Sequence, residues 1–247
     1  MWQNKTVSVV LPVYNEEKSI LSAIDEFLKT GYVDEIVIVD NNSKDRSAEI
    51  VCSTPARLVT ESKQGYGHAL RCGLKEAKGD LVILAEPDGT FIGKDILKLL
   101  VYSDDFDMVL GTRTTPQLIW NGANMGIFLR YGNWVVAKMM SFLFNTSSLS
   151  DCGCTLRLFH RVAAQKLSEY LTVGGSHLLP EMVILGRLLG FKMIEVPIHY
   201  RQRTGESKIT GSFVRTIQVG MRMIFMILYY RFASWIGMTK LTNLKRT

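Results

Sequence analysis

The first 110 residues alternate between two hydrophobic periods. Short, apolar, β-branched runs stand at residues 7–13, 35–39, 81–85 and 108–110. Between them, Ile20, Leu21, Ile24, Phe27 and Leu28 recur at helical spacing, and Ala69, Leu70, Gly73, Leu74 and Ala77 form a second such stripe. A short, nearly continuous apolar run fits a strand buried on both faces, and a stripe at i, i+4, i+7 fits a helix with one buried face. Their alternation predicts an α/β fold, a mostly parallel sheet flanked by helices. Ligands of such sheets sit beyond the carboxyl ends of the strands.

Those ends are polar here. The first run leads into Pro12-Val13-Tyr14-Asn15-Glu16-Glu17, the second into Asp40-Asn41-Asn42-Ser43-Lys44-Asp45, and the run at 81–85 into Glu86-Pro87-Asp88-Gly89-Thr90. Local roles exist for each loop. Asn15 and Ser43 suit helix N-caps, and Glu86-Pro87-Asp88 suits a turn. Capping is a poor account of three carboxylate-bearing strand ends together. Further along, residues 121–145 carry a long helical pattern rich in Met, Phe and Trp, and 151–159 read as a loop entering a strand. Residues 179–189 are helical, and 191–200 are extended, with Pro197 marking an edge strand.

Charge is distributed unevenly. From Arg201 onward there are nine Lys or Arg and one acid, Glu206, so that of the net +6 the preceding 200 residues carry −2. The excess belongs to a C-terminal segment, and no nucleic-acid partner is expected. Within that segment Val214, Ile217, Met221, Ile224 and Leu228 follow a 3-4 spacing, opposite Arg215, Gln218 and Arg222. The uninterrupted apolar run 223–230 has eight residues, against the roughly 20 that span a bilayer. A basic amphipathic helix of this kind lies in a membrane interface or packs on its own domain. The N-terminus enters a strand pattern directly, with no basic-then-apolar leader, so no signal peptide is expected. Of the four cysteines only Cys152 and Cys154 are close, and a lone Cys-x-Cys lacks zinc-site spacing. Reduced structural cysteines of a cytosolic protein are the expectation.

Pro12-Val13-Tyr14-Asn15-Glu16, Val39-Asp40-Asn41-Asn42-Ser43, Glu86-Pro87-Asp88 and Gly205-Glu206-Ser207-Lys208 occur in the order found in family 2 glycosyltransferases. Over about residues 5–230 the chain resembles their dolichol-phosphate mannosyltransferase-like branch. The resemblance implies a GT-A-like fold over residues 1–211, with a nucleotide-sugar half (about 1–115) and an acceptor half (about 116–211), followed by the basic amphipathic segment 212–247. It implies that Pro12, Val13, Tyr14, Glu16 and Asp40 hold the nucleotide, with the stretch Lys63-Gln64-Gly65-Tyr66-Gly67 nearby. Glu86 and Asp88 correspond to the Asp-x-Asp motif that binds Mg²⁺ or Mn²⁺. Arg113, Arg130 and Arg203 resemble the cations around the phosphates, and Lys208 joins Arg130 and Arg203 at the acceptor phosphate. Three departures stand out: Glu-Pro-Asp replaces Asp-Ala-Asp, Asn41 replaces a second Asp, and Cys152-Gly153-Cys154 replaces a Pro-Thr-Ser-Gly-like stretch. Glutamate is one methylene longer than aspartate, which makes Asp88 the firmer metal ligand.

Two acceptor classes ask for different chemistry. A sugar hydroxyl needs a general base within hydrogen-bond reach; Asp151 is the candidate, with capping or pairing to Arg157 as its structural alternatives. A lipid monophosphate, with a second pKa of about 6 by analogy with phosphorylated side chains, is already largely dianionic at neutral pH. It needs cations instead, and Arg201, Arg203 and Lys208 precede the basic helix. The expected function is inverting transfer from a UDP- or GDP-sugar to a polyprenyl phosphate by a protein peripheral on the inner face of the membrane. Asp88, Arg113 and Asp151 are the candidate catalytic residues. Transfer to a hydroxyl of a lipid-linked or surface glycan is the alternative. A sugar nucleotidyltransferase would want a glycine-rich loop after the first strand, and residues 12–17 have no glycine. A non-catalytic membrane scaffold would follow if Glu-Pro-Asp bound no metal.

Overall fold

The computed structural model describes residues 1–123, 126–146, 148–204 and 213–236. In chain order its elements are β1 (Val7–Val13), α1 (Ile20–Leu28), β2 (Glu35–Asp40), α2 (Ser47–Cys52), β3 (Arg57–Thr60), α3 (Tyr66–Glu76), β4 (Leu81–Leu84), α4 (Ile96–Val101), β5 (Met108–Thr112), α5 (Ile127–Phe144), β6 (Arg157–His160), α6 (Arg161–Tyr170), α7 (Leu178–Leu188), β7 (Met193–Pro197) and α8 (Phe213–Trp235). The strands form one sheet in the order β3-β2-β1-β4-β6-β5-β7. Every neighbouring pair is parallel except those of β6, which runs against both β4 and β5. The mostly parallel sheet flanked by helices is therefore present, with one reversed strand that the periodicity did not disclose.

Burial follows the strand period. Along β1 every residue is buried. Val10 faces one core with α3, α5, α6, α7 and α8, while Val9, Leu11 and Val13 face the other with α1, α2 and α4. Helix α3 approaches β1 so closely that a Cβ on Gly73 would overlap Val10. Strand β3, Arg-Leu-Val-Thr at a sheet edge, is short and half-exposed and lacks the apolar run that marks the others. Pro197 ends β7 on the opposite edge, where a missing N–H is tolerated.

The helical stretch expected from residue 121 starts at Ile127. Gly122 has φ +83°, and Ile119 and Trp120 bridge to Tyr200, so the chain before α5 is committed to the sheet edge. Helix α8 also differs from its one-stripe reading. Its inner side buries Met223, Ile227, Tyr230 and Ala233. Ile217, Met221 and Leu228, assigned to a single apolar face, are exposed together with Phe225, Phe232 and Trp235. The helix thus has two apolar faces: one packs on the domain and the other is open. The side chains of Val214 and Arg215 lie outside the described residues. No described helix is long and apolar enough to cross a membrane.

Because α3 closes on β1 at Gly73, Gly73→Ala is expected to destabilise the protein by about 1–3 kcal/mol through overpacking. Urea denaturation checks this; an unchanged midpoint would mean that α3 stands off the sheet.

Candidate active site

A cavity of about 700 Å³ opens at the carboxyl ends of β1 and β4. Pro12, Val13, Tyr14 and Glu16 line it from the β1 loop, Glu86, Pro87 and Asp88 from the β4 loop, Arg113 from the β5 loop, and Arg203 from the segment after β7. The topology brings a further loop to the same end. Since β6 is antiparallel, its first residue, Arg157, lies opposite Leu84 of β4 and Leu110 of β5. The residues preceding β6, 151–156, therefore reach the site from what would otherwise be the wrong end of a strand.

Asp88 is buried, and its two oxygens are used differently. Oδ1 accepts the Thr90 backbone N–H (3.0 Å) and hydroxyl (2.6 Å). Oδ2 faces the Arg203 guanidinium at 3.2 Å. Arg203 also donates to Glu16 Oε1 at 2.9 Å. Burial opposes the Arg203 charge, but Asp88, Glu16 and Glu86 together raise its pKa. Glu86 Oε1 accepts the Tyr66 hydroxyl (2.8 Å) and the Thr155 hydroxyl (2.7 Å). Burial first, and the Asp88 carboxylate second, push Glu86 up to about 7, against the Thr155 and Tyr66 bonds and the Arg113 charge.

These two carboxylates fit a hard divalent cation. Arg203 already places a positive charge against Asp88 Oδ2, which a bound cation would have to displace or share. Among the described residues no three His, Cys, Asp or Glu side chains cluster as a metal site. The protein would supply at most Asp88 and Glu86, leaving the remaining positions to a diphosphate and water, the usual arrangement for Mg²⁺.

Arg113 is the second cation. It donates through Nε (2.7 Å) and Nη2 (3.0 Å) to the two oxygens of Asp151 and stacks over Tyr200 at 5.2 Å. The Asp151 side chain is 0% exposed. Burial works against both charges, yet each holds the other ionised: Asp151 is shifted down and Arg113 well up. The alternative partner expected for Asp151, Arg157, is instead buried and donates to the backbone carbonyls of Cys152, Cys154 and Leu179. Glu195 accepts the backbone N–H groups of Ser150 and Asp151 and so fixes the start of the loop.

Not every expected residue lines the cavity. Asp40 is buried at the end of β2 and accepts the Ser43 N–H, and Lys63 lies in the loop before α3. Arg130 is on α5 beside, rather than among, the lining residues Leu129 and Tyr131. Lys208 lies outside the described residues. Asn15 and Ser43 do not cap helices. Asn15 Oδ1 accepts the Lys44 N–H (2.7 Å) and its own N–H donates to Ser43 (3.0 Å), which ties the β1 and β2 loops together. Asn41, where an acid was the common residue, donates to the carbonyls of Glu61 and Lys63 and accepts the Gly65 N–H. Its role is to shape the 61–65 loop, for which an amide with both donors and an acceptor is better suited than a carboxylate. Cys152 and Cys154 are buried free thiols with pKa values raised to about 12 by burial. Sequence reasoning missed the roles of Tyr66 and Thr155; the pair of glycines flanking Tyr66 was the available signal.

A Rossmann-like sheet whose strand ends gather paired carboxylates, two arginines and an open cleft suits a diphosphate held together with a divalent cation. Residues 8–168 match the model of the family described as glycosyl transferase family 2, and the chain belongs to that family. A dolichyl-phosphate hexose transferase of Haloferax volcanii is 31% identical over 207 residues, covering 82% of this chain and 86% of that protein. The low-salt glycan biosynthesis hexosyltransferase Agl6 of the same organism is 29% identical over 83% of this chain, which spans 50% of the length of that relative. A crystal structure of glucosyl-3-phosphoglycerate synthase from Mycobacterium tuberculosis with Mn²⁺, UDP and phosphoglyceric acid superposes with a TM-score of 0.70 at 20% identity, covering 92% of this chain and 79% of that one.

The raised Glu86 pKa makes stability pH-dependent. Between the ordinary value of 4.5 and about 7, the folded chain keeps a proton that the unfolded chain has lost. In chelator, this contribution falls as pH rises from 4.5 toward 7 and is flat above. Glu86→Gln removes it, so the melting temperature of the variant relative to wild type is expected to be higher at pH 7.5 than at pH 5. An equal difference at both pH values would contradict the assignment.

Proposed function

We propose that this enzyme transfers a hexose from a UDP- or GDP-sugar to a polyprenyl phosphate of the dolichyl type, at a membrane surface, with inversion at the anomeric carbon. The observation that carries the reading is the shape of the cavity. From its carboxylate and arginine end it continues between α5 and α8, where Leu129, Val135, Val136, Ile217, Met221 and Ile224 line it. A charged end joined to an apolar channel matches a phosphate on a hydrocarbon chain. The names of the Haloferax volcanii relative and of a dolichyl-phosphate β-glucosyltransferase of Trichomonas vaginalis, 26% identical over 93% of this chain, support it.

A phosphate oxygen of the acceptor attacks the anomeric carbon, the new C–O bond forms, and the bond to the nucleoside diphosphate breaks with its electron pair leaving on the diphosphate. No proton is removed. That agrees with Asp151, whose oxygens are both engaged by Arg113 and which serves better to orient that arginine than as a base. Arg113 and Arg203 offset phosphate charge in a partly dehydrated cleft, where such contacts are strong. Asp88, assisted by Glu86, would hold Mg²⁺ or Mn²⁺, which when bound neutralises charge developing on the leaving diphosphate. The half up to about residue 115 is the donor side; 116–211, with the amphipathic segment from 212, is the acceptor side.

The open face of α8 and the outer face of α5 give the membrane contact. Phe142 on α5 is 87% exposed, and Trp134 is also exposed. Lys138 lies over Trp134 at 5.9 Å and Arg231 over Trp235 at 4.9 Å. Aromatic rings beside cations suit a headgroup layer, where each cation near an anionic surface contributes about 1 kcal/mol. The protein would be peripheral, on the inner face.

Nucleotide release tests the reaction. With polyprenyl phosphate and Mn²⁺, one of UDP-glucose, UDP-N-acetylglucosamine and GDP-mannose is expected to yield an acid-labile glycosyl phospholipid. An acid-stable product formed only on a saccharide would replace this acceptor with a hydroxyl. Asp88→Asn is expected to lower turnover at least ~10²-fold while near-ultraviolet dichroism is retained; full activity in excess chelator would remove the metal.

Vesicle sedimentation tests the surface. Full-length protein is expected to pellet with anionic vesicles and to be released by high salt. Phe225→Ser with Phe232→Ser and Trp235→Ser, all exposed, should weaken pelleting at least about tenfold, given the apolar area removed. Indifference to vesicles of every composition would return this face to packing against protein.

A further inference from the structure

Tyr66 and Thr155 reach Glu86 from opposite sides of the sheet's switch in direction: Tyr66 opens α3, and Thr155 lies just before the antiparallel strand β6. Both hydroxyls meet the same oxygen, Oε1, and stand 2.5 Å from each other. Among the described residues no hydrogen bond takes up the other oxygen, Oε2, and Glu86 lines the cavity. Position 86 holds the longer acid, with one more torsion than aspartate, and two donors on one oxygen remove that freedom.

Tyr66 is itself held rigidly. The Gly67 N–H donates to the Gly174 carbonyl at 2.9 Å. A Cβ on Gly67 would stand 2.6 Å from the Val173 carbonyl and 2.8 Å from that of Gly175, and one on Gly65 would overlap Gly174. No side chain fits on either flank, so the backbone of Tyr66 rests directly on the 173–175 loop. That loop is fixed in turn by Glu181, fully buried, which accepts the N–H groups of Thr172 and Val173 and the hydroxyl of Tyr230 from α8.

We propose that Tyr66 and Thr155 are positioning residues that pin Glu86 by Oε1 and present its Oε2, beside Asp88, to the divalent cation of the donor. The proposal rests on the metal-dependent reading above and deepens it. Both hydroxyls act through Glu86, and removing them costs metal affinity rather than the chemical step.

The test is Mn²⁺ binding followed by electron paramagnetic resonance, with UDP and in parallel with GDP, for wild type, Tyr66→Phe, Thr155→Val, the double variant and Asp88→Asn. Removing a hydrogen bond to a charged group is expected to weaken Mn²⁺ about tenfold in each single variant and at least about a hundredfold in the double. In turnover the KM for Mn²⁺ should rise in step, with kcat at saturating Mn²⁺ within about threefold of wild type. Thr155→Ser, which keeps the hydroxyl, should restore wild-type affinity, an outcome that a packing role does not produce. Wild-type Mn²⁺ affinity in the double variant, alongside its loss in Asp88→Asn, overturns this proposal alone. Absence of Mn²⁺ binding to wild type with either nucleotide overturns the donor reading and the proposal with it.

Discussion

Arg157 enters the sheet between Leu84 and Leu110, at the start of a strand that runs against both neighbours. Its guanidinium is buried, and burial lowers its pKa. A buried charge must be met by polar partners or it is costly, and here three backbone carbonyls, of Cys152, Cys154 and Leu179, meet it. That single side chain joins the loop before β6 to α7 beneath it. The loop is then free to send Asp151 to Arg113 and Thr155 to Glu86. Reversing β6 is what allows a preceding loop to share the end of the sheet where the parallel strands place their following loops.

The site is organised by opposed charges that play unequal parts. Arg113 and Asp151 form a buried, two-point pair stacked on Tyr200. Pairs of this kind contribute orientation more than stability, because desolvation offsets much of their attraction. Arg203 bridges Glu16 and Asp88 from a segment beyond the last strand. It occupies the same carboxylate that suits a metal, so cation and arginine compete for Asp88 Oδ2, and a bound diphosphate would offer Arg203 a new partner. One arginine is thereby clamped and the other exchangeable.

Helix α8 connects this chemistry to the surface. Inward, Tyr230 reaches Glu181 and through it the loop under Tyr66. Outward, Phe225, Phe232 and Trp235 remain exposed. Between α8 and α5 the apolar part of the cavity is walled by side chains from both helices. The same helix therefore packs on α5 and α7 and walls the apolar part of the cavity, and in the proposed reading its outer face meets lipid, which would account for its being apolar on two sides.

Much of this was legible in the order of residues. Period-2 and period-3.6 hydrophobicity are local properties, and they marked β1, β2, β4, β5, α1 and α3 because a chain buried on both faces must be apolar throughout. The carboxylates after β1 and β4 were visible because strand ends are where such sheets bind ligands, and the family motifs named the same positions. What the order could not disclose depends on which segments meet. Strand β3 is too short and polar to announce itself, and β6 has the same composition whichever way it runs. The alternation of α8 was visible, but which of its apolar sides faces inward depends on where α5 and α7 stand. The Asp151–Arg113 pair, the two hydroxyls on Glu86 and the Arg203 bridge join residues 38, 20, 69 and 115 positions apart. Local periodicity carries no information at those separations; only the packed sheet, by bringing the loops to one edge, decided these partners.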